Sequence, residues 1–156
     1  MNISPQYLAG VMDSDGSFSI TKRHITRQNA NYIAMIQITW THTATSEDFM
    51  KELTRKYGGS YFIGVHSKGG TFKNSKPVIK YCAVGKAASL LTLDVKDFLI
   101  LKKTQADNVI KLRELVTTKR IGRTRSPIIS TQLEDIYLLN KQLNSKNKGE
   151  DDVSNS

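Results

Sequence analysis

Hydrophobic positions along the chain change period several times, and each change marks an element. Ser4 followed by Pro5 reads as an N-cap with proline in the first turn. The apolar, small-residue run from Leu8 predicts a helix to about Asp13, stopped by Gly16. Phe18 and Ile20 then alternate with Ser17, Ser19, Thr21 and Arg23, a period of two that predicts a strand with one polar face. After a polar turn near residues 27–31, a second strand places Ala34, Ile36, Ile38 and Trp40 on one side. Met35, Gln37, Thr39 and Thr41 lie on the other. From Ser46, a plausible N-cap, Phe49, Met50, Leu53 and Tyr57 recur at helical spacing until Gly58 and Gly59 end the element.

Two further strands, roughly 60–66 and 78–84, flank a loop rich in Lys, Gly, Asn and Ser, as in a long hairpin connection. A short helix over 86–93 is expected next. Phe98, Leu101, Val109, Leu112 and Val116 then mark a helix whose apolar stripe only Gln105 interrupts. Lys119, Arg120, Arg123 and Arg125 crowd a basic linker over 117–129 that Ser126 and Pro127 close. Thr131 and Glu134 have the spacing of a capping box, opening a last amphipathic helix over about 131–143. The polar residues 144–156 read as a disordered tail.

The order αββαββα with extra C-terminal helices predicts one α+β domain over 1–143, with helices on one face of the sheet. The other face stays open. It carries Ser19, Thr21, Arg23, Met35, Gln37 and Thr39, joined on one choice of register by Lys76 and Lys80. Such groups hydrogen-bond base edges or phosphates, or serve as ordinary solvent-facing positions. A strand rises about 3.3 Å per residue, close to the roughly 3.4 Å per base step of a DNA strand. The open face can therefore follow a major groove.

At 156 residues the chain is long enough to bury a core without staples. Its single cysteine, Cys82, excludes an internal disulfide and any multi-cysteine zinc motif, and suits a reducing interior. Twenty-three Lys and Arg against 14 acids give +9; discounting the tail acids Glu150, Asp151 and Asp152 raises this to +12. That excess points to a polyanionic partner, most simply nucleic acid. The start of the chain carries no secretory or transit pattern, and nowhere do eighteen apolar residues run together. The expected setting is intracellular, with the host genome, and no membrane or small-molecule substrate is implied.

The candidate chemistry sits at the end of the first helix. Asp13 and Asp15 lie where the helix dipole is already negative, so a nearby cation is expected. Taken alone, Asp13-Ser14-Asp15-Gly16 also reads as a helix-ending turn whose aspartates cap local amides. The full stretch Leu8-Ala9-Gly10-Val11-Met12-Asp13-Ser14-Asp15-Gly16 resembles the signature of LAGLIDADG homing endonucleases. The resemblance implies the family's αββαββα fold with a four-stranded antiparallel DNA-binding sheet. It implies a homodimer packed through Leu8, Ala9, Gly10, Met12 and Asp13, because only one copy of the signature is present. It further implies a catalytic metal held by Asp15 and the backbone of Ser14, Mg²⁺ by preference with Mn²⁺ or Ca²⁺ as substitutes, and double-stranded DNA cut to leave 3′ overhangs.

The pattern Lys102-x-x-Gln105-Ala106 resembles the place where such enzymes carry a lysine that supports the attacking water, with Lys103 as alternate. His42 resembles a polar group that organises active-site water. The basic residues Lys119, Arg120, Arg123 and Arg125, with Arg27 and His66 in the loops, are expected at phosphates or bases. His24, His66 and Cys82 make no convincing zinc site. An RNA-splicing maturase on the same fold, or a DNA-binding regulator that never cuts, would share the charge and the fold.

Overall fold

A computed structural model describes residues 2–24, 30–64, 76–118 and 127–149. The elements run α1 (Pro5–Ser14), β1 (Gly16–His24), β2 (Ala30–Thr41), α2 (Ala44–Tyr57), β3 (Ser60–Gly64), β4 (Val78–Val84), α3 (Lys86–Val95), α4 (Lys103–Thr118) and α5 (Pro127–Gly149). The strands form one antiparallel sheet in the order β1-β2-β4-β3. This is the predicted α+β layout, and its register follows from the period-two patterning: a slip of one residue would turn Phe18, Ile20, Ile36 and Ile38 to solvent.

The core lies between one sheet face and the helices. Phe18, Ile36, Ile38, Ile79 and Tyr81 meet Leu8 and Met12 of α1, Met50 and Leu53 of α2, and Leu91 and Val95 of α3. Gly16 joins α1 directly to β1, and a Cβ there would lie 2.5 Å from the Met12 side chain and 2.7 Å from its Cα. Only glycine permits so tight a passage from helix to strand. No helix among the described residues is long and apolar enough to cross a membrane.

Three expectations are corrected. The stripe from Phe98 does not continue one helix: residues 96–98 form a 3-10 turn, Ile100 and Leu101 lie in an exposed bend at 84% and 73% exposure, and α4 opens at Lys103. Its inner face buries polar Gln105 and Asn108 beside Ala106 and Val109, which weakened the helical period. The last helix begins at Pro127, four residues before Thr131, and continues to Gly149 rather than dissolving at Asn144. Thr131 and Glu134 are accordingly no capping box; the Thr131 hydroxyl donates back to the Pro127 carbonyl at 3.1 Å.

Glu134 instead ties α5 to the sheet. Its carboxylate accepts from Lys22 Nζ at 2.6 Å and from the Tyr32 hydroxyl. Farther along α5, Asn140 and Asn144 donate to the carbonyl of Phe18 at 3.1 and 2.9 Å. The edge strand β1 is thus covered by a helix, one of the ways proteins block edge-to-edge pairing.

The hydrogen bonds from Lys22 and Tyr32 hold the Glu134 carboxyl below its usual 4.5, and the Glu134 bond raises Lys22 above 10.5. The stabilisation from this tie is therefore fully present above pH 4.5 and is lost as pH falls through the depressed value. At the alkaline end it persists below 10.5 and fades as pH rises past the raised lysine value. Thermal melts from pH 7 downward should show a steeper acid loss for the native chain than for Glu134→Gln. Equal acid slopes would contradict the tie.

Candidate functional site

α1 delivers its last residues to the rim of the sheet. Ser4 caps its start, accepting from the Tyr7 amide at 3.3 Å, and Asp15 is the C-cap, its own amide donating to Val11 O. The helix turns Leu8, Ala9, Val11 and Met12 into the chain's own core, with Leu8, Ala9 and Met12 fully buried. That corrects the expectation that Leu8, Ala9 and Met12 face a partner. The residues α1 leaves exposed are Gln6, Tyr7, Gly10 and Ser14, and open space surrounds the Gly10 position.

Asp13 does not reach outward either. Its carboxylate accepts from three successive amides, those of Ile100 at 2.8 Å, Leu101 at 3.2 Å and Lys102 at 3.0 Å. These amides belong to the bend that leads into α4, so Asp13 pins that bend from across the molecule. The same bonds bring Lys102 to the end of α1. Its ammonium donates to Gly16 O at 2.6 Å and Met12 O at 2.9 Å, and reaches Ser14 O at only 3.5 Å. Here is the cation that two aspartates at a helix C-terminus demanded. Burial lowers the Lys102 pKa from 10.5, while the charges of Asp13 and Asp15 oppose that shift.

Asp15 is exposed, and its Oδ2 accepts from the indole Nε1 of Trp40 at 2.8 Å. Trp40 is held in turn by Phe49 of α2, ring centroids 4.7 Å apart, and Phe49 meets Tyr7 edge-on at 6.0 Å. Oδ1 of Asp15 makes no hydrogen bond among the described residues. With the Ser14 carbonyl, which only the long 3.5 Å contact from Lys102 engages, this oxygen makes up the hard donors available here. Among the described residues no three acidic, histidine or cysteine side chains converge to hold a metal on their own. A donor set this sparse suits Mg²⁺, which keeps several waters and is commonly completed by substrate phosphates.

His42 is not part of this cluster. Its Nε2 lies 3.0 Å from Glu47 Oε2, and its amide donates to Pro77 O at 2.8 Å, so it serves the start of α2. Trp40, read from sequence only as a core-side strand residue, is the side chain that touches Asp15. The alternate, Lys103, is exposed at the start of α4.

The open face of the sheet follows from the register. Ser17 lies beside Gln37, Ser19 beside Met35 and Thr21 beside Ile33; Gln37 lies beside Cys82 and Thr39 beside Lys80. Ser19, Thr21, Arg23, Met35, Gln37, Thr39 and Lys80 therefore share one face as predicted, each exposed or half-buried. Ser19 and Thr21 donate to the carbonyls of Met35 and Ile33. Lys76 is exposed just before β4. Arg27, His66, Lys119, Arg120, Arg123 and Arg125 lie outside the described residues.

No protein-family model matches the chain, and no curated protein matches it. Solved structures do. The homing endonuclease I-CvuI in complex with its target has a TM-score of 0.62 at 16% identity, over 89% of this chain and 80% of that one. The LAGLIDADG homing endonuclease I-GzeII in complex with a DNA target reaches 0.64 at 17% identity, over 87% of this chain and 44% of that one. The meganuclease I-SmaMI bound to uncleavable DNA reaches 0.63 at 21% identity, again over 87% and 44%. The chain has the LAGLIDADG endonuclease fold; it spans most of I-CvuI but less than half of I-GzeII and I-SmaMI.

Proposed function

We propose that the protein is a site-specific DNA endonuclease that hydrolyses phosphodiester bonds with Mg²⁺ as a homodimer, leaving 3′ overhangs at a long pseudo-palindromic site. The observation that carries this reading is the exposed Asp15 carboxylate at the rim of the sheet, with one oxygen held by Trp40 and the other without a hydrogen bond among the described residues. The net charge of +9 and the DNA complexes of I-CvuI, I-GzeII and I-SmaMI support duplex DNA as substrate.

In this scheme the open face lies along the major groove and fixes the register of the duplex, while Asp15 and the Ser14 carbonyl would hold the metal ion. Bound there, Mg²⁺ supplies charge stabilisation at the phosphate and lowers the pKa of the attacking water. Lys102 keeps the helix end in shape by engaging Met12 O and Gly16 O, and touches Ser14 O only at 3.5 Å. Trp40 fixes the rotation of the Asp15 carboxylate. A second copy, packed on the exposed Tyr7, Gly10 and Ser14 stripe of α1, brings a second Asp15 to the other strand.

The test is to incubate the purified chain with randomised duplexes, with and without Mg²⁺, and to sequence the ends produced. Recurrent Mg²⁺-dependent ends with 3′ overhangs are expected; intact duplexes under both conditions would refute the reading.

Trp40 is the sole tryptophan, so its emission reports on Asp15 directly. Titrating Mg²⁺ or Mn²⁺ should change that emission. Trp40→Phe, which keeps a ring against Phe49 but loses the indole N–H, should raise the Mg²⁺ concentration needed for half-maximal cleavage. One such charge-assisted bond, worth about 1.5 kcal/mol, corresponds to roughly a tenfold change. An unchanged Mg²⁺ requirement would show that Trp40 does not position the carboxylate.

A further inference from the structure

An antiparallel sheet with one solvated face ordinarily alternates apolar residues inward and polar residues outward. β1 obeys: Ser17, Ser19, Thr21 and Arg23 face out. The inner strands do not. Ile33 and Met35 of β2 stand on the outer face, Met35 is paired with Val84 of β4, and Cys82 follows two residues away on the same side. Phe62 of β3 lies opposite Lys80. Val84 and Phe62 are 51% and 54% exposed. These side chains lie on the face opposite the core, so packing within the chain does not account for them, and a contiguous apolar strip on an otherwise polar face marks a contact surface.

Charge and spacing say what meets it. The strip is bracketed by cations, with Arg23 at the Asn31 pair and Lys80 at the Thr39 pair. Those rows are roughly 26 Å apart along β2 at about 3.3 Å per residue, or about eight base steps. Between them, the acceptors that Gln37 Nε2 meets are two sulfurs, Met35 Sδ at 3.4 Å and Cys82 Sγ at 4.0 Å. Sulfur is a weak acceptor, so the amide remains available to a base edge. In the major groove the one apolar group presented is the C5-methyl of thymine, and the partner of a Gln amide is adenine.

Resting on the endonuclease reading above, we infer that the Ile33, Met35, Val84 and Cys82 strip reads thymine methyl groups, so that the middle of each half-site is rich in A·T pairs. The cations at the two ends take guanines or phosphates. The same feature favours DNA over RNA, because uracil lacks that methyl.

The experiment selects bound sites from randomised duplexes with the full-length chain, then compares each selected duplex with a copy in which deoxyuridine replaces thymidine. Thymine should recur in the middle of each half-site. The uracil copy should bind about fourfold more weakly for each methyl lost, as for a buried methyl-sized group. The exposed-site variant Val84→Ser should soften the thymine preference at one position per half-site. Selected duplexes that bind equally with uracil, or G·C pairs throughout the middle, would overturn the inference while leaving an endonuclease in place. Failure to enrich any duplex would overturn both.

Discussion

Replacing Asp15 by asparagine should lower Mg²⁺-dependent strand scission by about three orders of magnitude or more, while binding to the same duplex changes little. Under the proposed reading the variant removes the carboxylate that would hold the metal, and metal-assisted charge stabilisation is worth several kcal/mol, each 1.36 kcal/mol being tenfold in rate. The fold should survive. Asp15 is exposed, and an asparagine oxygen can still accept from Trp40 Nε1. Parallel cleavage and gel-shift assays separate the two effects. Undiminished cutting would dismiss Asp15 as the ligand, and lost binding would mean that it holds the DNA-binding surface together instead.

The second large effect belongs to Lys102. Lys102→Met keeps the length of the side chain but strips Met12 O and Gly16 O of their donor, and leaves the end of α1 with two carboxylates and no cation. Charge-assisted hydrogen bonds contribute about 1.5–3 kcal/mol each, and a cation at a partly buried helix C-terminus up to about 2 kcal/mol. A net loss of roughly 2–4 kcal/mol is expected, lowering Tm by roughly 5–15 °C for a chain of this size. Cleavage measured well below the lowered Tm should still be impaired, because the Ser14 and Asp15 donors are no longer held in register. A variant that melts normally would contradict the account of the helix end.

The electrostatics of the signature were legible without coordinates. Two acids at a negative helix end required a positive partner, and Lys102 supplies it. The strands were legible too, because period-two patterning fixes which face is buried. What escaped depends on contacts between residues far apart in the chain. Asp13 binds the amides of Ile100, Leu101 and Lys102 from about ninety residues away and holds them as a bend before α4, so the apolar Phe98 and Leu101 stand outside the helical stripe that their spacing predicts. Glu134 faces Lys22 and Tyr32, partners that no spacing near Thr131 reveals.

The alternation of Ala34, Ile36 and Ile38 predicts that Trp40 joins the core. β1, however, begins at Gly16 opposite Ile38, so Trp40 stands past the end of its neighbour and meets the C-cap of α1 instead. The small residues of α1 misled in the opposite way. Leu8, Ala9 and Met12 suit a close helix seam, but the core they fill is their own. The proposed second copy is left with Gln6, Tyr7, Gly10 and Ser14.

The most direct measurement is anomalous scattering from crystals of the chain with a selected duplex and Mn²⁺. The account predicts two copies on the duplex and a metal peak about 2.1 Å from Asp15 Oδ1, with the Ser14 carbonyl also in its coordination sphere, beside the DNA backbone in each copy. Metal bound elsewhere, or Asp15 side chains turned away from the phosphates, would contradict it.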